Sequence, residues 1–152
     1  MKTLIVRDSH VRSFSTYLLT IADSFERSLR LDSHHIVQLF GLSGARLDSP
    51  FTVRSFQRKL WLHQPQHVIL MCGGYDLDQF DEDEDIVEQL LAHIVSLATL
   101  WLSRFHLREI TIPQLIPRTS TRTVLVCIYN KHVTVFNSRS REVFQKHRGL
   151  TF

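Results

Sequence analysis

Apolar positions along the chain follow two alternating patterns: short continuous runs of strand type, and longer stretches in which they return every three or four residues. Thr3-Leu-Ile-Val6 reads as a short buried strand closed by polar Arg7-Asp8-Ser9-His10. Val11, Phe14, Leu18, Ile21, Ala22 and Phe25 then recur at helical spacing. His35 to Phe40 reads as a second strand ending at Gly41-Leu-Ser-Gly44, and a helix is expected after Pro50 with Val53, Phe56, Leu60 and Trp61 on its inner side. Pro65 to Cys72 is a third strand running into Gly73-Gly74-Tyr75-Asp76. Ile86, Leu90, Ile94, Leu97, Ala98, Trp101 and Phe105 mark a long amphipathic helix, preceded by Asp81-x-x-Glu84 in capping-box form. Arg108 to Leu115 is expected as a fourth strand, ended by Pro117. Thr123 to Ile128 has strand composition, while Tyr129, Val133, Phe136, Ser140 and Phe144 keep a helical period; a helix from near Tyr129 to His147 is favoured, with Gly149 to Phe152 opening a fifth strand.

Strands separated by helices imply parallel β-α-β units and a sheet covered by helices on both faces. In such folds the site lies at the carboxyl ends of the strands, which here carry Asp8 to His10, Gly41 to Gly44, Gly73 to Asp76 and Gln114 to Arg118. Composition agrees with one folded domain over residues 1–152: 43% of residues are apolar and 22% charged, with 5 Gly and 4 Pro.

Charge is distributed unevenly. Eight acids, Asp76 to Glu88, lie within thirteen residues, and elsewhere eighteen basic residues face seven acidic ones. The acidic cluster suits a helix N-terminus, where the dipole favours carboxylates, and it lacks the alternating spacing and central glycine of a calcium loop. From Arg104 onward nine basic residues face two acidic ones, so a basic face toward nucleic acid or an anionic membrane is one expectation and a plain solvated surface the favoured one. Cys72 and Cys127 form no metal-binding pair, the scattered histidines show no ligand spacing, and no cofactor motif is present. The first apolar run is too short for a signal-peptide core, and Glu88, Gln89, His93, Ser96 and Arg104 interrupt the most apolar helix. A soluble intracellular chain without a membrane span is expected.

Ser9, directly after the first strand and at the start of a helix, is placed to act as a nucleophile, because the amides and dipole there favour a developing oxyanion. Asp8 or Ser9 suits the helix N-cap equally well. Gly44 can present its amide closely to a ligand or serve as a turn glycine. Gly73 and Gly74 would turn the chain across the top of the sheet, and Asp76 could fix that loop by accepting backbone amides.

In that order, Arg7-Asp8-Ser9-His10, Gly41-Leu-Ser-Gly44 and Gly73-Gly74-Tyr75-Asp76 resemble the three N-terminal blocks of the SGNH (GDSL-type) hydrolases, esterases and lipases with a flavodoxin-like three-layer α/β/α fold. The chain is especially similar to divergent SGNH-like domains of animal genomes, some linked to retroelements. The resemblance implies a parallel sheet of four to five strands. It makes Ser9 the nucleophile and gives the amides of Ser9 and Gly44 oxyanion-donor roles, with Asp8, His10, Gly73, Gly74 and Asp76 in support and an ester-type small molecule as substrate. Tyr75 stands where the family has its asparagine donor; its phenol oxygen lies farther from the backbone and is expected to fill the pocket instead. The family's Asp-x-x-His block after the fifth strand has no counterpart, since no Asp follows Asp85, and His132 and His147 fall before that strand. A domain ending before its last catalytic block is therefore expected: a weak or inactive esterase-like pseudoenzyme. The alternative is a non-catalytic binding module using the cleft or the basic C-terminal half, with nucleic acid as partner.

Overall fold

The computed structural model describes residues 1–7, 35–79 and 85–152. Strands β1 (Lys2–Arg7), β2 (Ile36–Gly41), β3 (His67–Met71), β4 (Glu109–Thr111) and β5 (Leu150–Thr151) form one parallel sheet in the order β2-β1-β3-β4-β5. Helices α1 (Pro50–His63), α2 (Ile86–Arg104) and α3 (Val126–Phe144) connect them. This is the flavodoxin-like order of a doubly wound α/β/α fold, as the alternation of runs and periods predicted. The helix read from Val11 to Phe25 and the Asp81–Glu84 capping box lie outside the described residues.

Each helix is set by its apolar period. On α1, Ser49 caps the N-terminus by accepting the Thr52 amide at 3.5 Å and Pro50 sits in the first turn, where its missing N–H costs nothing. Phe56 and Leu60 are buried as predicted, but Trp61 is 69% exposed. With Phe56 and Leu60 directed inward, the 100° step per residue carries position 61 off the buried stripe, and Thr52 occupies it instead. On α2, Trp101 is fully buried and meets Phe56 edge-on at 6.4 Å between ring centroids. By length and composition α2 is apolar enough to cross a bilayer, yet seven of its side chains, Ala98 and Trp101 among them, are buried within this domain.

The C-terminal half departs from expectation at two places. β4 spans three residues, Glu109–Thr111, and not Arg108 to Leu115. Pro113 and Pro117 cannot donate to a ladder, and the chain from Leu115 to Arg118 bonds to side chains of α3 instead. α3 starts at Val126, three residues before Tyr129, and ends at Phe144, so His147 lies beyond it. The strand-like stretch Thr123 to Ile128 is overridden because Tyr129, Val133, Phe136, Ser140 and Phe144 form one continuous buried stripe. The opening of a fifth strand at Gly149 is borne out, with Ile110 in register with Leu150.

The two tryptophans separate core from surface. Trp101→Ala is expected to lower unfolding stability by about 3–5 kcal/mol, and Trp61→Ala to change it by less than about 0.5 kcal/mol. Urea unfolding of the two variants checks this ordering.

Candidate functional site

Register places the polar blocks together. Arg7, the last residue of β1, pairs with Gly41 at the end of β2 and with Met71 at the end of β3. The loops after β2 and β3 therefore leave the sheet at the level where β1 ends, beside the β1/β3 switch point where ligands bind in this fold. Asp8, Ser9 and His10 follow Arg7 directly in sequence and lie outside the described residues.

After β2, the Ala45 amide bonds the Leu42 carbonyl at 3.2 Å, closing a turn whose third residue, Gly44, has φ +64°. That left-handed position suits glycine. Asp76 secures the far end of this loop: its Oδ1 accepts the Leu47 amide at 2.8 Å and the Asp48 amide at 3.4 Å. The amides thus belong to the loop after β2, twenty-nine residues away, and not to the turn Asp76 sits in. Asp76 Oδ2 is buried with no hydrogen-bond partner among the described residues. Burial raises the Asp76 pKa above the usual carboxylate value, while the Leu47 and Asp48 amides pull it back in part.

After β3, Gly73 (φ +119°) and Gly74 turn the chain toward the segment that follows β4. A Cβ on Gly74 would stand 2.9 Å from Arg118 Nη2 and 3.1 Å from the Tyr129 hydroxyl, so the missing side chain is what admits the guanidinium. Arg118 donates through Nη1 to Asp78 Oδ2 at 3.1 Å, and its Cζ lies 4.9 Å from the Tyr75 ring centroid and 4.8 Å from that of Tyr129. Arg122 brings a second guanidinium to 5.0 Å from the Tyr75 ring. Tyr75 thus packs beneath two cations and lines a cavity of about 370 Å³ with Asp78 and residues 117–122.

Two asparagines on one face of α3 hold the wall of this cavity. Asn130 accepts the Arg118 amide at 2.9 Å and donates to the Arg118 carbonyl at 3.0 Å; Asn137 does the same for Leu115, at 2.9 Å each way. Each side-chain amide replaces one rung of a strand ladder. Sequence reasoning missed both, although their seven-residue spacing puts them two turns apart on one helix face. It flagged Arg118 only as the end of a strand block and did not single out Asp78 or Arg122.

His132 lies within α3, where burial and then the Lys131 charge lower its pKa, and its Nδ1 is buried without a hydrogen-bond partner among the described residues. His147 lies past the helix end. Among the described residues no cluster of three His, Cys, Asp or Glu side chains is arranged to hold a metal.

No protein-family model and no curated protein sequence matches the chain. Solved structures do. A Bacteroides fragilis protein provisionally named an acylhydrolase superposes with a TM-score of 0.64 at 12% identity, over 98% of this chain and 65% of that one. The esterase EstA from Pseudoalteromonas gives 0.58 at 18% identity, over 98% and 76%. A Parabacteroides merdae protein provisionally named a GDSL-like lipase gives 0.62 at 12%, over 95% and 73%. The chain spans less than two thirds of the length of the Bacteroides fragilis protein. The chain shares its fold with these solved structures.

Because the folded state raises the Asp76 pKa, between the usual carboxylate value and the raised one it keeps a proton that the unfolded chain has lost, so over that interval this group makes stability fall as pH rises. Asp76→Asn keeps an acceptor for Leu47 and is expected to flatten that part of the profile. Urea midpoints measured across the pH range check it, and an unchanged slope would assign the dependence to other groups.

Proposed function

We propose that this chain is an esterase-like domain of serine-hydrolase ancestry, with Ser9 in the nucleophile position and ester turnover that is weak or absent. One observation carries the proposal: Arg7, two residues before Ser9, is in register with Gly41 and Met71, and Asp76 ties the loops that follow those two strands together. This supports a common site for Ser9, the Gly44 turn and the Tyr75 loop at the switch point. The structural neighbours that carry esterase, acylhydrolase and lipase names favour an ester-type small molecule as substrate.

In this reading Ser9 attacks the acyl carbon while the amides of Ser9 and Gly44 stabilise the oxyanion. The third donor of the resembled family is missing, because Tyr75 stands in place of an asparagine and lies under Arg118 and Arg122; such a loss costs about 10²–10³ in turnover. Within residues 1–152 no Asp follows Asp85, so no Asp-x-x-His unit follows β4 there. A serine without a base to take its proton is a weak nucleophile. Hydrolysis of p-nitrophenyl acetate by the purified chain is expected to stay near the buffer rate, with any excess lost in Ser9→Ala. Robust Ser9-dependent turnover overturns the inactive reading, and turnover that survives Ser9→Ala removes Ser9 from the chemistry.

A second reading, a binding module for single-stranded nucleic acid, is favoured by a different surface from the C-terminal half. There Arg139 is paired with Glu88 and Glu142, and Arg118 with Asp78. Between α1 and the end of α2, Arg54, Gln57, Arg58, Trp61, Arg104 and Phe105 line a groove of about 500 Å³, with no carboxylate in its lining among the described residues. An exposed indole among three guanidiniums offers base stacking and phosphate contact together. Single-stranded RNA is expected to bind with a salt slope of about −0.7 per phosphate contacted, weakened by Trp61→Ala and Arg58→Gln. No binding at low salt would overturn the reading.

A further inference from the structure

Among the described residues, the cleft over Tyr75 holds one guanidinium with no carboxylate paired to it. Asp78, whose side chain is 1% exposed, accepts from Arg118 at 3.1 Å and from the amides of Arg122, Thr123 and Val124 at 3.1 to 3.5 Å. Its acceptor capacity is taken up by those partners. Arg122 nevertheless places a second guanidinium against the same Tyr75 ring, is itself exposed, and forms no ion pair among the described residues. Two like charges brought to one ring repel each other, and the ring quadrupole offsets only part of that cost.

The space between them is shaped and polar. The cavity of about 370 Å³ is lined by Tyr75, Asp78 and residues 117–122, so the hydroxyl-bearing residues Thr119 and Ser120 line it together with the two arginines. The wall is rigid where it matters: Asn130 clamps the Arg118 main chain on both sides, and the Thr121 hydroxyl donates to the Val124 carbonyl. A volume of this size suits a small ligand, and paired guanidinium forks match the oxygens of a tetrahedral oxyanion.

We propose that this cleft is a binding site for a phosphate group, with Arg122 and Arg118 as the charged contacts and the Thr119 and Ser120 hydroxyls as further donors. The site does not depend on Ser9 or on ester turnover. The phosphate belongs either to a small phosphomonoester or to a phosphodiester backbone, and both present the same oxygens to the arginines.

The test uses the full chain and inorganic phosphate as probe, by calorimetry and thermal melting against chloride at equal ionic strength. Saturable binding with a rise in Tm is expected. Arg122→Gln, at an exposed position, should melt like the parent without phosphate and bind phosphate at least about tenfold more weakly, equivalent to about 1.4 kcal/mol. Trp61→Ala, in the distant-surface groove, should bind phosphate normally. Arg118→Gln leaves Asp78 without its countercharge and is read only if it folds, so Ser120→Ala serves as the second variant, expected to weaken binding severalfold. Displacement of phosphate by a single-stranded oligonucleotide in an Arg122-dependent manner supports the site and assigns the phosphodiester source; phosphate binding without such displacement supports it and assigns the monoester. Absence of saturable phosphate binding, or binding that Arg122→Gln leaves unchanged, overturns the proposal.

Discussion

The carboxylate of Asp78 sits below the surface at the end of the β3 loop, and a charge taken out of water in this way is costly unless its surroundings replace the lost hydration. Arg118 and the amides of Arg122, Thr123 and Val124 do so from the far side of the cleft, forty and more residues along the chain. The loop after β3 and the irregular chain that leads into α3 are therefore fixed to each other by one ion. Arg118 can reach it only across the bare Cα of Gly74, and Tyr75 is held where it is because Arg118 lies over its ring. The position of the cleft follows from that set of contacts.

A second carboxylate, two residues earlier, faces the opposite way along the sheet. Asp76 joins the β3 loop to the loop after β2, so that the turn bearing Gly44 and the turn bearing Tyr75 share one framework. The residues between β3 and α2 thus brace both neighbours of the switch point: Asp76 toward β2, Asp78 toward the chain after β4. Sequence alone read the acidic stretch as a helix start and Asp76 as an acceptor of backbone amides; that Asp76 reaches the loop after β2, and Asp78 the chain after β4, it did not show.

Much of the sheet was legible because its strands are short apolar runs and its described helices carry unbroken stripes; the stripe from Tyr129 to Phe144 matched the buried face residue by residue. Trp61 misled because a large apolar side chain next to a buried leucine looks like part of the stripe, although the helical step takes it to the surface. The fourth strand was read too long because Ile112 and Leu115 are apolar whether a ladder or a pair of asparagine amides serves the backbone beside them. Of the site, the glycine turns were visible as turns. The pairing of Asp78 with Arg118 was not, since nothing local to either residue indicates a partner forty positions away. Asp8, Ser9 and His10, outside the described residues, were read from the sequence alone.

Asn130 and Asn137 bond only the main chain of the segment they hold, which separates the path of that segment from the identity of its side chains. Ile116, 69% exposed, and Pro117 lie between the two clamped residues. Pro117, which lines the cleft, and Ile116 beside it can therefore change in shape, polarity or charge while the clamps on either side hold the backbone. The domain thereby has a replaceable lip on a fixed hinge plate, a division that lets the exposed surface there change without a matching change in the core.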